Sequence, residues 1–326
     1  MNKTYWLLVG LVAVLAIGIG VYFTQADKVT TGSTENQDAP AVTTTDTDNQ
    51  SIVATTWEVG GVAVKGTFAD ADTVKLTENN YRMYYGIQPE VKGNNFEVYS
   101  ATSTDGKTWT QEAGTRKTMA TFPEVIKLAD GTFRMYFQSA GVIKSAKSTD
   151  GLKFTDEAGT RIDKSNDLGL TFDNVAAPTV IVKDDGSFIM VYRGTVNEQY
   201  GTEPTPNKNT QLLLWATSTD GLTWVKKGLA VDSRNSTLNG LTDGPELFVW
   251  RDGKTILSYW SYTGVYWSSF NGETFGEPEK VFALAESTAT NKFPAKTAGD
   301  PVYAEFNKVW YMYYGQPDGI NYAIAR

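Results

Sequence analysis

Cysteine and histidine are both missing from this 326-residue chain. Without cysteine there are no disulfides, no thiolate metal sites and no lipid attachment through a cysteine. Without histidine the commonest general base and the commonest zinc ligand are gone. Acid–base chemistry therefore falls mainly to Asp and Glu, with Tyr, Lys and Arg as helpers. Positive charge is short as well: 29 Lys and Arg face 37 Asp and Glu, for a formal net charge of −8. That balance offers no electrostatic footprint for nucleic acid or for anionic lipid. Aromatic residues are what the chain has in plenty. Most of its nine Trp and seventeen Tyr are expected in a core.

One long apolar run is present. From Tyr5 to Phe23 the chain reads YWLLVGLVAVLAIGIGVYF, without a charged side chain. As a helix this run would reach ~28 Å, close to the thickness of a hydrocarbon core. Lys3 precedes it, which places the N-terminus in the cytoplasm and the rest of the chain outside. The expectation is a single transmembrane helix, with residues 1–26 as a membrane anchor. The competing reading is a signal peptide cleaved after Thr24-Gln25-Ala26. Residues 27–55 are rich in Thr, Asp, Gln, Ser and Asn. Such a composition buries too little apolar surface to offset its ordering entropy, so a disordered polar linker is expected there.

Residues 56–326 carry a repeat of about 54 residues. Tyr81-Arg-Met-Tyr-Tyr-Gly86 recurs at Phe133, Phe188, Thr255 and Tyr311. Ten residues ahead of each stands Ala71, Pro123, Pro178, Pro245 or Pro301. A third element, Ser103-Thr-Asp-Gly-Lys-Thr-Trp109, returns at Ser148, at Ser218 and, more weakly, at Ser269. Each unit supplies four strands, and the fifth unit ends one strand short. Trp57 precedes Asp70 by the same step as Trp109 precedes Phe122, so the N-terminal strand supplies the missing one. The fold class that follows is all-β: a five-bladed β-propeller whose last blade is closed by the N-terminal strand. A ring zipped in this way has no long open sheet edge.

In that topology the short turns share one face. The longer connections (residues 86–96, 155–175, 195–210 and 276–299) gather on the other, which marks it as the working face. Strand starts there bring Asp70, Asp72, Glu124, Asp243, Glu246 and Asp300 around the channel, six carboxylates read as lying in equivalent register. Strand ends add Gln138, Arg193, Trp260 and Gln316. Crowding of the carboxyl groups would raise some of their pKa values.

The Ser-Thr-Asp-Gly element resembles the Asp-box, a turn found in propeller glycosidases and related proteins. The whole of residues 57–326 resembles the five-bladed propeller glycoside hydrolases, such as arabinanases, xylosidases and fructosidases. That resemblance implies a carbohydrate partner, with some aromatic side chains stacking on sugar rings. It implies Asp70 as base or nucleophile and Asp243 as general acid. Asp72, Glu124, Gln138, Arg193, Glu246, Trp260, Asp300 and Gln316 would then bind substrate. Three positions depart from the family pattern: Ala71 replaces a proline, Asp243 stands where Glu is usual, and Ala177 occupies the place of a supporting Asp. Glu124, Glu246 or Asp300 could take over from the missing Asp. Sialidases also use Asp-boxes, but they need an arginine triad, and Arg193 alone is well placed here. A non-catalytic carbohydrate-binding or adhesion propeller is the alternative. No cofactor is expected. Ca²⁺ in the channel is possible on ligand chemistry but unsupported by any motif. The remaining expectations are a monomer and residence at the cell membrane, with the propeller on the extracellular or periplasmic side.

Overall fold

The computed structural model describes residues 55–88, 91–200, 209–284 and 298–326. The segment from Tyr5 to Phe23 and all but the last residue of the linker lie outside the described residues. Among the described residues, no helix is long and apolar enough to cross a membrane.

The chain opens with β1 (Trp57–Lys65). Four sets of four strands follow: β2–β5 (Phe68–Thr77, Asn80–Ile87, Val98–Ser103, Thr110–Gln111) and β6–β9 (Thr121–Lys127, Phe133–Ser139, Val142–Ser148, Thr155–Asp156). Next come β10–β13 (Phe172–Val182, Phe188–Val196, Thr210–Ser218, Val225–Val231) and β14–β17 (Asp243–Val249, Thr255–Ser261, Gly264–Phe270, Glu279–Phe282). The last set is β18–β20 (Gly299–Phe306, Val309–Gln316, Gly319–Ala325). Each set forms one antiparallel four-stranded sheet, and β1 completes the fifth by pairing with β20 from Trp57↔Ala325 to Lys65↔Gly319. The innermost strands β2, β6, β10, β14 and β18 each contact the next and close a ring. The five-bladed propeller and its N-terminal closure are thus as the repeat arithmetic predicts.

Closure has a side-chain component. The Trp57 indole lies 6.3 Å from that of Trp250, 6.2 Å from that of Trp267 and 5.8 Å from the Tyr303 ring, centroid to centroid. These belong to the largest apolar cluster at the seam between the fourth and fifth blades.

The Ser-Thr-Asp-Gly turns join blade to blade. In the first, Asp105 Oδ1 accepts from the Lys107 and Thr108 N–H groups at 2.8 and 2.7 Å, and Ser103 Oγ accepts from Gly106 N–H at 3.0 Å. Asp150 and Asp220 do the same in the next two. Asn271 makes the equivalent bonds in the fourth. The carbonyls of Gly106, Gly151 and Gly221 then accept hydroxyl bonds from Tyr313, Tyr84 and Tyr136 of the preceding blade, at 2.7–2.9 Å. Gly151 has φ +72°, and a Cβ there would lie 2.6 Å from Arg82 Nη1 and 2.7 Å from Tyr84 Oη. Glycine is therefore required twice, for the left-handed backbone and for the close approach.

Two outermost strands, β5 and β9, are only two residues long. Each is followed by the same pentapeptide, Glu-Ala-Gly-Thr-Arg, at 112–116 and 157–161. Glu112 and Glu157 take two bonds each from Arg82 and Arg134, at 2.8–3.0 Å. The same arginines reach across to the carbonyls of Asp150 and Asp220. These bonds tie the first blade to the second and the second to the third.

Replacing Trp57 by Ala should lower unfolding stability by roughly 3 kcal/mol, the lower end for truncating a packed indole. Chemical denaturation of the variant checks this; a loss below about 1 kcal/mol would show that the backbone ladder alone closes the ring.

Candidate functional site at the mouth of the channel

All five innermost strands carry the same defect. Strand pairing shifts by one residue between Ala69 and Asp72, Thr121 and Glu124, Ala176 and Thr179, Asp243 and Glu246, and Gly299 and Val302. At each shift one residue adopts a left-handed backbone: Asp70 (φ 53°), Phe122 (50°), Ala177 (45°), Gly244 (53°) and Asp300 (48°). The next residue is Ala71 or a proline. A bulge leaves one residue outside the ladder, and proline suits that place because it has no N–H to leave unpaired.

The bulge sorts the predicted carboxylates into three registers, which corrects the expectation of a single equivalent one. Asp70 and Asp300 are bulge residues of β2 and β18. Asp72, Glu124 and Glu246 lie two residues later, with Thr179 in the same register on β10. Asp243 lies one residue before its bulge. Opposite the pre-bulge position, the second strands present Gly86, Gln138, Arg193, Trp260 and Gly315. Gln316 is thus one residue out of the expected register, and a slip of one places a side chain on the other face of a sheet. Its main-chain carbonyl accepts from Gln88 at 3.0 Å, while Gln138 accepts from Thr121 at 3.0 Å inside its own blade. Neither glutamine lines the pocket, and neither do Asp72, Arg193, Asp243 and Trp260, which stand behind its lining residues.

The later register forms the deeper tier. Asp72 accepts the Val125 N–H of the next blade at 2.7 Å, and Glu124 accepts the Val180 N–H at 2.6 Å. Thr179 Oγ1 accepts the Leu247 N–H at 2.9 Å and donates to Glu246 at 3.3 Å. Each side chain thereby satisfies an inner-edge donor of the following blade or a partner beside it. Desolvation is the main reason all three carboxyls are raised: Asp72 to about 7, and Glu124 and Glu246 well above the usual range with help from Asp72. Oxygens of the three lie within 4.8 Å of one another, a spacing that would suit a cation. The blade-to-blade bonds already account for the arrangement, and it is not identified as a metal site.

The upper tier is different in kind. Asp70, Glu124, Glu246 and Asp300 line a pocket of about 30 Å³ with Phe122, Gly244 and the bulge prolines. That volume takes water, not a sugar ring, so a larger ligand would rest on its mouth. Asp243 is held by Arg193, Nη1 to Oδ2 at 2.5 Å, and by the Gly244 N–H at 2.8 Å. The Arg193 guanidinium also sits 5.0 Å from the Phe122 ring centroid, and its Nε is buried without a hydrogen-bond partner. Trp260 Nε1 donates to Asp300 at 3.2 Å. Asp300 stands near enough to Asp70 to oppose its ionisation. Burial first, then the neighbouring Asp243 charge, lifts Asp300 to about 7. Burial, then the charges of Asp300 and Asp243, lifts Asp70 well above the carboxylate range.

Gly244 allows this crowding. A Cβ there would lie 2.3 Å from Asp300 Oδ1 and 2.5 Å from its Cα. Sequence reasoning missed Phe122 and Gly244 as site residues; their one signal is the position immediately before a repeated proline. It also missed the Arg193–Asp243 pair, which joins neighbouring blades across 50 residues.

No protein-family model matches the sequence, and no curated protein matches it. Solved structures do share the fold. A thermostable family-43 glycoside hydrolase is 14% identical, covering 83% of this chain and 92% of that one with a TM-score of 0.58. An α-L-arabinofuranosidase from Clostridium thermocellum is 17% identical, covering 76% and 82% with a TM-score of 0.55. A structure from family 130, described as mannoside phosphorylases that include hydrolases of β-1,2 mannosidic linkages, is 15% identical, covering 83% and 94% at 0.56. The chain has a glycoside hydrolase-like propeller fold.

The buried carboxyls set a pH dependence. Asp72 and Asp300 titrate at about 7 when folded, against 3.8 for an ordinary aspartate. Between those values the folded chain holds more protons than the unfolded one, so stability falls as pH rises. The melting temperature should drop from about pH 5 to about pH 8, and Asp72→Asn should flatten that slope. A melting temperature that is level or rising over the range would contradict the buried-acid assignment.

Proposed function

We propose that this chain is a glycoside hydrolase-like propeller, tethered outside the cell membrane, that hydrolyses a carbohydrate at the mouth of its channel. One observation carries the reading: carboxyl groups in unlike surroundings meet at the channel mouth, with Asp70 and Asp300 lining the pocket and Asp243 directly before its lining residue Gly244. Asp70 is buried beside Asp300, and Asp243 is ion-paired with Arg193. Glycoside hydrolysis needs one carboxyl that gives a proton and another that acts ionised, and unlike surroundings are how proteins keep two such groups apart. Asp70 and Asp243 are accordingly the catalytic pair, with Asp300, Arg193, Trp260 and Phe122 around them. Two carboxyl groups suffice for this chemistry, and the proposal uses no cofactor.

The same charges limit the substrate. Three aspartates against one arginine disfavour a uronate or a phosphate at this mouth. Phosphorolysis, the activity named for some family-130 proteins, would need cations to hold phosphate. Among the described residues no Lys or Arg lines the pocket, and Arg193 is already paired with Asp243. A neutral glycoside and water are the reactants that fit.

Ala177 and the short Asp243 favour a second reading, a carbohydrate-binding or adhesion propeller without turnover. A panel of neutral nitrophenyl glycosides separates the two. Hydrolysis should release nitrophenol from at least one, and Asp243→Asn should cut that release by about 100-fold or more. Sugar binding by calorimetry with no release from any member would establish the binder instead. Tethering rests on the apolar run from Tyr5 to Phe23. The full chain should sediment with membranes and stay accessible to external protease, while a chain beginning at Asp27 should be released. Equal release of both would remove the anchor from the proposal.

A further inference from the structure

We propose that the cleft between the third and fourth blades is a second carbohydrate site, in which Trp215 stacks against a neutral sugar chain. It shares no lining residue with the pocket at the channel mouth and does not depend on turnover there.

The third blade breaks a pattern that the first two keep. In those blades one ion-paired cluster ties each blade to the next. Arg82 bonds to Glu112 and to the Asp150 carbonyl of the second blade, and Ser100 Oγ donates to Glu112 at 2.6 Å. Arg134, Glu157, the Asp220 carbonyl and Ser145 repeat the arrangement. The strand ladders identify the corresponding residues of the third blade. Arg82, Arg134 and Ile189 face Thr102, Lys147 and Thr217 on the third strands. Ala101, Ala146 and Ala216 face Gln111, Asp156 and Lys226 on the fourth. Ile189 therefore replaces the arginine, Lys227 the glutamate and Trp215 the serine. Val191 likewise replaces Tyr84 and Tyr136, whose hydroxyls bond to the Gly151 and Gly221 carbonyls.

The consequence is room. A Cβ on Gly106, Gly151 or Gly221 would lie within 2.8 Å of a side chain of the preceding blade. On Gly272, the equivalent glycine of the fourth blade, it would meet nothing within 4 Å. The cleft opens into a groove of about 640 Å³ whose lining includes Ile189, Trp215, Lys227 and Gly272. Sites for small ligands span roughly 300–1,000 Å³. Trp215 is half-buried, with its ring centroid 5.5 Å from that of Phe270 and 5.7 Å from that of Phe275. Its partner across the ladder is Gly228, so the facing position on the outer strand puts no side chain over the indole.

The lining selects the ligand. A sugar ring offers an apolar C–H face to an indole and a rim of hydroxyls that both donate and accept. Around Trp215 the groove supplies the matching rim, with the Thr217 and Thr223 hydroxyls, the Lys227 ammonium and the Glu273 carboxylate. Its charges balance: Lys227 is offset by Glu273, and Lys183 is paired with Asp185 at 3.4 Å. No surplus of one sign draws an anionic polymer or a charged peptide there. A neutral polysaccharide fits, and one seated in the groove is held to the protein without occupying the channel mouth.

Affinity electrophoresis of the full chain through gels containing arabinan, xylan, mannan or levan tests this. At least one of these neutral polysaccharides should retard the wild-type chain. Trp215→Ala should weaken that apparent affinity about 10-fold or more, as loss of a central aromatic anchor does. D243N, altered at the channel mouth, should stay retarded. Because W215A also removes packing against Phe270 and Phe275, a second variant carries I189R, W215S and K227E together and restores the cluster of the first two blades. It should melt no lower than W215A and should not be retarded. In the wild-type chain, oxidation of Trp215 by N-bromosuccinimide, located by peptide mass spectrometry, should slow in the retarding polysaccharide. Undiminished retardation of both variants, or an unprotected Trp215, overturns the proposal. So does retardation by none of the four, or by anionic polygalacturonate alone. Loss of retardation in D243N but not in W215A would place the polysaccharide at the channel mouth, overturning this site and leaving the hydrolase reading standing. Should the chain cleave no glycoside, the hydrolase reading falls and these measurements still decide the groove.

Discussion

The innermost strand of each blade has one edge with no partner in its own sheet, and much of this molecule follows from satisfying that edge. Buried backbone donors left without acceptors would cost about 1–3 kcal/mol each. Water in a narrow channel can serve some of them. Here side chains from the preceding blade take three in succession: Asp72 for Val125, Glu124 for Val180, and Thr179 for Leu247. Such acceptors must sit at a fixed height on every blade, and the bulge sets that height. A carboxylate serves the purpose as well as a hydroxyl does, but it brings a charge into a poorly solvated place. Burial answers by raising the pKa. The deeper tier is therefore acidic in sequence, with burial opposing its ionisation.

The upper tier is built on the same bulge. Bulge residues are freed from the ladder, so their side chains are available to a ligand in a way that those of paired residues are not. The left-handed backbone costs on the order of 1 kcal/mol for a residue with a side chain. Asp70, Phe122, Ala177 and Asp300 all accept that strain. Strain held by a closed ring gives rigid placement. The carboxyl groups of Asp70 and Asp300 come from strands far apart in sequence, and the pairing of β1 with β20 directly ahead of β2 keeps their blades in contact.

The architecture was legible because it is periodic. The aromatic strand, the proline ten residues before it and the Ser-Thr-Asp-Gly turn each recur, and Trp57 showed where the ring closes. The site was legible only in part. Strand-start carboxylates were found because they sit beside the repeated prolines. Their register was misread, since a bulge inserts one residue and a count of two along the strand no longer names the facing side. Asp243 and Asp300 therefore looked equivalent, although one precedes its bulge and the other occupies it. Gln316 was off by one for a related reason: Gly315, within the aromatic repeat itself, takes the facing position. The partner of Asp243 was hidden differently. Arg193 stands on another blade, and no local pattern announces a contact between blades.

Residue type alone misleads about role here. Asp70 and Asp243, at strand starts of the first and fourth blades, have the same intrinsic chemistry, and a family pattern would rank them by position. Their surroundings rank them differently: a guanidinium and an N–H on Asp243, a second carboxyl and an apolar rim on Asp70. The difference arises from which second-strand residue faces each pre-bulge position. Arg193 reaches Asp243 from the third blade, and Trp260 reaches Asp300 from the fourth. The neutral Trp260 N–H brings no full positive charge to Asp300, whose pKa burial lifts to about 7. The ring of blades thus passes a different partner to each of these aspartates, and that order gives residues of one kind unlike surroundings.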